Sequence, residues 1–250
     1  MITFKNIHKR FGSREILKGI DLHIVKGKTT VILGVSGGGK STIIKHLVGL
    51  LKPEAGEIFV DGIDIVKCSE KELRSVRKEV GFLFQSGALF DSMNVFENVA
   101  FPLREHTSMS EKEIEENVSK KLSMVGLDTK VISKLFPDEL SGGMRKRVGL
   151  ARTIALEPEI VLYDEPTSGL DPVTSDHVTQ MIINLQERLK VTSVLISHDI
   201  KESFKAGDYF AMLFDGKIVD YGDAEHIKNS SHPAVQQFLN ATSEGPIQFI

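Results

Sequence analysis

Tryptophan is absent, and one cysteine, Cys68, stands alone in a chain of 250 residues. Without a partner it closes no internal disulfide, so a reducing compartment, the cytosol, is the expected home and the thiol reads as passive. Nowhere do about 18 consecutive apolar residues occur, which leaves no segment fit to cross a bilayer as a helix. Any work at a membrane then requires another subunit. Met1 to Phe11 mixes Lys5, Lys9 and Arg10 with isolated apolar residues and lacks the apolar core of a secretory signal. A basic surplus is missing too: 31 Lys and Arg stand against 34 Asp and Glu, a net charge of −3. No global field recruits nucleic acid, and no nucleic-acid partner is expected. What remains, 41% hydrophobic and 26% charged residues, is ordinary globular composition, long enough for one large or two small domains with a sizeable core.

Ile2 to Phe11 and Glu15 to Val25 alternate apolar and polar residues at strand spacing, which predicts half-buried antiparallel strands. Thr29 to Leu33 is a short β-branched run followed by glycines, and Ser41 to Leu51 reads as a helix closed by Lys52 and Pro53. Asp61-Gly62 between apolar runs is a hairpin signal. Val80 to Gln85 is a further strand candidate. From Val95 to Leu156 strand signals fade and amphipathic helices take over, notably Glu111 to Val125 and Met144 to Leu156, as in a helical insertion. Strands return at Ile160 to Tyr163, Ser193 to Ile196 and Phe210 to Phe214, with a helix over Pro172 to Leu189. Alternating β and α elements predict a parallel sheet covered by helices. A small C-terminal extension, 229–250, begins at the polar stretch Asn229 to His232.

Gly34-Val35-Ser36-Gly37-Gly38-Gly39-Lys40-Ser41 fits the phosphate-loop pattern, with Thr42 following, and it lies between a strand and a helix as that loop must. Glycines let the backbone curl until several N–H groups face phosphate, and the positive end of the helix adds attraction for the anion. Lys40 is placed to reach the β- and γ-phosphates of ATP, and the Ser41 hydroxyl to help hold Mg²⁺. Ile160 to Asp164 is an apolar strand ending in an acid, so Asp164 is the candidate to hold Mg²⁺ through water. Glu165, next in sequence, is the candidate to polarise the attacking water. Leu140-Ser141-Gly142-Gly143-Met144 opens a helix with Ser141 at a capping position and uncovered backbone N–H groups. Alone it is a weak signal, equally a simple helix cap. Beside a phosphate loop it reads as a second anion site, which makes sense if two copies pair head to tail and share each ATP.

In that order, the phosphate loop, Gln85 at a strand end, Leu-Ser-Gly-Gly, Asp164-Glu165, Ser168-Gly169-Leu170-Asp171 and Ser197-His198-Asp199 resemble the ATP-binding cassette ATPases over nearly the whole chain. The resemblance implies an α/β fold: a P-loop NTPase with a RecA-like parallel sheet core, an antiparallel β subdomain and an inserted α-helical subdomain, about 86–158 of a domain spanning 1–228. It implies that Gln85 touches Mg²⁺ or the attacking water and couples the helical subdomain to the nucleotide, that Asp171 lies at the dimer seam, and that His198 contacts the γ-phosphate. Phe11 is similar to the aromatic that stacks on adenine, with plain core packing as its other reading. The family signature usually ends in Gln where this chain has Met144. Phe84 to His106 resembles the segment of ATPases that serve Mce-type lipid transporters, the maintenance-of-lipid-asymmetry group. That likeness implies a membrane permease dimer as partner, with a STAS-domain protein on the ATPase, Mce-domain proteins outside, and a peripheral position on the inner face of the cell membrane. The same engine serving amino acids or another small solute is one alternative, and a soluble cassette ATPase acting on nucleic acid or ribosomes is another. Ala88 to Leu103 carries too many apolar residues for a solvated loop; it either packs inside the helical subdomain or offers a groove to the permease.

Overall fold

The computed structural model describes residues 1–248, so the last two positions of the extension expected over 229–250 lie outside the described residues. In chain order the elements are β1 (Ile2–Phe11), β2 (Arg14–Ile24), β3 (Thr29–Leu33), α1 (Lys40–Leu47), β4 (Ala55–Val60), β5 (Ile63–Asp64), α2 (Glu70–Lys78), β6 (Val80–Leu83), α3 (Val95–His106), α4 (Glu111–Met124) and α5 (Thr129–Ile132). After a 3₁₀ turn at Pro137–Glu139 come α6 (Gly142–Thr153), β7 (Ile160–Asp164), α7 (Pro172–Leu189), β8 (Thr192–Ile196), α8 (Ile200–Ala206), β9 (Tyr209–Phe214), β10 (Lys217–Asp223), α9 (Ala224–Lys228) and α10 (Pro233–Leu239). They divide into two compact units, one built from Met1–Arg77 and Thr192–Ile250, the other from Lys78–Val191.

The first unit holds two kinds of sheet. Strands β2, β1, β4 and β5 form an antiparallel sheet in that order, with Ile2 opposite Ile24 on one side and Val60 on the other. The alternation read from the sequence is what buries Ile2, Phe4 and Ile7 while Lys5 and Asn6 face out. By contrast β3 pairs in parallel with both β8 and β9, and β10 closes the edge as an antiparallel hairpin with β9. Every residue of β3 and of β8 is buried, as continuous apolar strands covered on both faces should be. Strand β10, half-buried from Ile218 to Gly222 with no fully buried residue, was not expected from the sequence; the left-handed Asp215 (φ 45°) and Gly216 (φ 74°) make the turn that returns it.

Helix α1 ends at Leu47, earlier than the expected Leu51. The cause is Gly49, left-handed at φ 64°: its amide returns to the His46 carbonyl, and the Leu50 amide to Lys45, closing the helix before Pro53 can matter. Helix α2, also unexpected, buries only Val76 among its residues and so shows little apolar periodicity. Its start is nevertheless fixed by a reciprocal cap, Ser69 N–H donating to Glu72 Oε2 at 2.8 Å.

In the second unit β6 and β7 pair in parallel, Val80 opposite Ile160 and Leu83 opposite Tyr163. Helices α3, α4 and α6 pack on one another, and Val99, Leu103, Ile114, Val118, Leu122 and Leu150 on them are buried. Capping boxes fix two of their starts, Asn94 with Glu97 for α3 and Ser110 with Glu113 for α4. Helix α6 begins at Gly142, two residues before the expected Met144, because the Ser141 hydroxyl accepts the Met144 amide at 3.2 Å and draws both glycines into the first turn. Among the described residues, no helix is long and apolar enough to cross a membrane.

Candidate functional site

The first unit carries the phosphate loop where β3 gives way to α1. Two glycines there have no substitute. A Cβ on Gly34 (φ 146°) would lie 2.5 Å from the Leu213 carbonyl oxygen, and one on Gly39 (φ 105°) 2.8 Å from Ile16 Cγ2. Held this way, the loop turns its carbonyls inward: the ammonium of Lys40, a residue 4% exposed, donates to Gly34 O at 2.8 Å and Val35 O at 2.9 Å. The first turn of α1 contains no acidic residue, and Gly39 makes no side-chain cap hydrogen bond. Ser36 and Gly37 are exposed, Gly38 is half-buried, and Ser41 and Thr42 sit in the first turn.

His198 follows β8, which pairs with β3 through Ile196 opposite Ile32. The loop and the imidazole therefore leave the same end of neighbouring parallel strands, the carboxyl end, where α/β folds collect ligands. His198 is exposed, and its neighbours keep it there: Ser197 Oγ accepts the Asp199 amide at 3.0 Å, and Asp199 caps α8. Phe11 ends β1 at 49% exposure with Lys9 Nζ 5.4 Å from its ring centre, so it is not a core residue.

In the second unit, Gln85 lies just past β6, and Asp164 and Glu165 end its partner β7. The Gln85 amide nitrogen donates to Glu165 Oε2 at 3.0 Å and to Ser168 Oγ at 3.2 Å, leaving its amide oxygen for other partners. Asp164 is buried at 7% exposure. Glu165 takes a left-handed backbone, φ 48°, a conformation that costs a non-glycine residue about 1–2 kcal/mol and persists only where neighbours hold it. Two groups hold its carbonyl: the Ser168 amide at 3.1 Å and the Lys146 ammonium at 3.5 Å. Lys146 also donates to the Gln85 carbonyl. Burial pushes the Lys146 ammonium below the usual lysine range, against the opposing pull of the Glu165 and Asp164 carboxylates.

Lys146 was not among the residues expected at the site: in sequence it is one of three consecutive basic residues, Arg145-Lys146-Arg147, and nothing local sets it apart from the other two.

The Ser141-Gly142-Gly143 start of α6 belongs to this unit as well. Ser141 and Gly142 are exposed, whereas Gly143 is buried against α7, where a Cβ would lie 2.7 Å from Thr174 Cγ2. Asp171 caps α7, accepting the amides of Val173 and Thr174 at 3.0 Å each and the Thr174 hydroxyl at 2.6 Å. The Thr174 hydroxyl and amide, then the Val173 amide, hold the Asp171 carboxyl below the usual carboxylate range.

After Gln85, Asn98 organises the chain. It is fully buried, its Oδ1 accepts the Phe90 amide at 2.8 Å, and its amide donates to the carbonyls of Phe90, Met93 and Asn94. Val95, Val99, Ala100 and Leu103 are buried, while Phe90 stays 41% exposed between the Phe101 ring and the Arg152 guanidinium. The apolar stretch Ala88 to Leu103 is thus part core and part surface.

A phosphate loop, a carboxylate pair at a strand end and a capped Ser-Gly-Gly helix start in one chain describe a nucleotide-driven motor, and comparison with known proteins agrees. The family model described as ABC transporter matches residues 17–168. The chain belongs to the ABC transporter ATPases. A probable ribonucleotide transport ATP-binding protein of Mycobacterium leprae is 47% identical over 246 residues, covering 98% of this chain and 70% of that protein. The intermembrane phospholipid transport system ATP-binding protein MlaF of Haemophilus influenzae is 44% identical over 249 residues, covering 100% of this chain and 94% of that protein. Among solved structures, an ATP-binding cassette dimer in a post-hydrolysis state with ADP and Pi aligns with a TM-score of 0.82 and 33% identity, covering 89% of this chain and 98% of that one. The ABC ATPase resemblance and the P-loop NTPase fold class expected from the sequence are borne out; the chain is a transporter ATPase and binds ATP.

Proposed function

We propose that this ATPase energises phospholipid transport through a separate membrane permease. One observation carries the reading: the likeness to the phospholipid transport protein covers all of this chain and 94% of that protein, whereas the chain spans 70% of the relative named for ribonucleotide transport. In this reading the residues divide the work as follows. The backbone amides from Gly34 to Gly39, with Lys40, Ser41 and Thr42, bind the ATP phosphates, and Phe11 stacks on adenine. Ser41, Gln85 and Asp164 offer hydroxyl, amide and carboxylate oxygens, the hard donors that suit Mg²⁺, with Asp164 acting through water. When bound, Mg²⁺ neutralises charge on the phosphates. Glu165 accepts a proton from the attacking water, held to that task by the Gln85 amide, and His198 donates to the γ-phosphate. Ser141, Gly142 and Gly143 meet the nucleotide bound by a second copy of the chain, with Asp171 at the seam, so that ATP closes a head-to-tail dimer and hydrolysis reopens it.

The expected partners beyond that second copy are integral-membrane permease subunits, a STAS-domain protein and Mce-domain proteins, with the ATPase peripheral on the inner face of the membrane. The helical segment about 86–158 transmits closure, and Phe90 with Met93 forms the apolar contact with the permease; Phe90→Ala should weaken copurification by about 2 kcal/mol without unfolding the ATPase. The test is purification of the tagged chain from its native membrane. A permease and an Mce-domain protein carrying phospholipid support the reading. A soluble receptor carrying a ribonucleotide or an amino acid overturns it.

A further inference from the structure

Lys146 joins the main chains of Gln85 and Glu165. Its ammonium, on a residue 7% exposed, donates to the main-chain carbonyl of Gln85 and lies 3.5 Å from that of Glu165. The side chains of those same two residues are hydrogen-bonded to each other at 3.0 Å. One buried cation thus holds the backbones of both partners in the Gln85–Glu165 pair. Arg152, on the same helix, donates to the Gly87 carbonyl at 2.8 Å and fixes the next stretch of the same loop. Lys146 stands in the second turn of α6, the helix that Ser141 caps.

We propose that Lys146 is a positioning residue for hydrolysis: it keeps Gln85 and the left-handed Glu165 in register through their carbonyls, and so ties the water-activating carboxylate to the helix that begins at Ser141. The proposal rests on Glu165 being the group that activates water. A lysine suits the task because a single ammonium carries several donors that can point at separate carbonyls, and a buried cation has no water to substitute for a lost acceptor. Neither main-chain carbonyl touches the nucleotide in the proposed mechanism, and Gln85 meets it only through Mg²⁺. Loss of the cation should therefore slow turnover and spare ATP binding.

Steady-state hydrolysis by the assembled transporter tests this with Lys146→Met, Lys146→Arg, Glu165→Gln and Lys121→Met side by side. Lys121 is a second buried lysine of the same unit, paired with Glu157 at 2.8 Å, and it has no part in the pair. Lys146→Met is expected to lower kcat about tenfold with KM for ATP within about twofold, the signature of a contact that matters only at the transition state. Lys146→Arg is expected to restore most of kcat, and Lys121→Met to alter melting temperature alone. Unchanged kcat in folded Lys146→Met, equal losses in kcat and ATP affinity, or no recovery with arginine would each overturn the role. Should the methionine variant not fold, Lys146→Gln carries the same expectation and the same refutation. Near-normal turnover by Glu165→Gln would overturn the underlying reading together with the proposal, whereas a slow Glu165→Gln beside an unimpaired Lys146→Met would remove the lysine alone.

Discussion

The phosphate loop and the Gln85–Glu165 pair are both devices for holding a few polar groups still, and they are built from opposite materials. The loop is main chain: glycines at φ 146° and 105° fold it so that a contiguous stretch supplies its own carbonyls to Lys40. The pair is side chain and tertiary: Gln85, Lys146 and the Glu165–Ser168 turn are three separate segments that only the folded unit brings together. A backbone device tolerates neighbours but not a Cβ. A side-chain device tolerates backbone variation but fails when one member is shortened. Binding, which recognises the constant triphosphate, is assigned to the first, and hydrolysis, which must be timed, to the second.

Breaking the backbone device at its charge should have the largest effect. Lys40→Ala is expected to weaken ATP binding by about 100-fold or more, because an ammonium that meets phosphate is worth more than any neutral donor in the loop; calorimetry measures it directly. Breaking the side-chain device should leave binding intact. Glu165→Gln is expected to keep ATP affinity while turnover falls by about 100-fold, since water loses its proton acceptor but the phosphate contacts survive. A variant that loses affinity and turnover together would erase the contrast between the two regions.

The shared-site arrangement sharpens it further. Ser141→Arg should leave the monomer's ATP affinity unchanged and abolish ATP-driven dimerisation in light scattering. Mixed with Lys40→Ala chains, it should give weak but detectable association, since one interface of such a dimer pairs an intact Lys40 with an intact Ser141. Normal ATP-driven dimerisation by Ser141→Arg alone would refute the shared site.

The smallest expected effect lies outside both devices. Asn98→Ala removes the partner of one amide and three carbonyls in the chain after Gln85, and should cost about 2–3 kcal/mol in chemical denaturation. Turnover of the folded fraction should move much less than in Glu165→Gln.

The same contrast explains what could be read before folding. The phosphate loop is legible because a main-chain device must be contiguous, and the limits of β1, β3 and α7 were legible because alternation, a β-branched run and an Asp-Pro start mark them locally. Asp61-Gly62 and Asp215-Gly216 make the same turn, yet only the first announced a hairpin. The strand after the second, Lys217–Asp223, is exposed at both ends and half-buried from Ile218 to Gly222, with no buried face to alternate. Helix α2 was hidden for a related reason, although its Ser69 and Glu72 cap stood in the sequence. Lys146 and Asn98 could not be recognised locally. One sits in a basic run and the other in an apolar stretch, and only burial against distant carbonyls gives either of them work.

Phospholipid movement by the reconstituted complex is the most direct test of the account. The purified transporter, held in liposomes beside acceptor vesicles, should transfer labelled phospholipid when ATP and Mg²⁺ are added, and the same complex carrying Glu165→Gln should bind ATP yet transfer at no more than about a hundredth of that rate. ATP hydrolysis stimulated by a ribonucleotide, with labelled phospholipid unmoved, would contradict it.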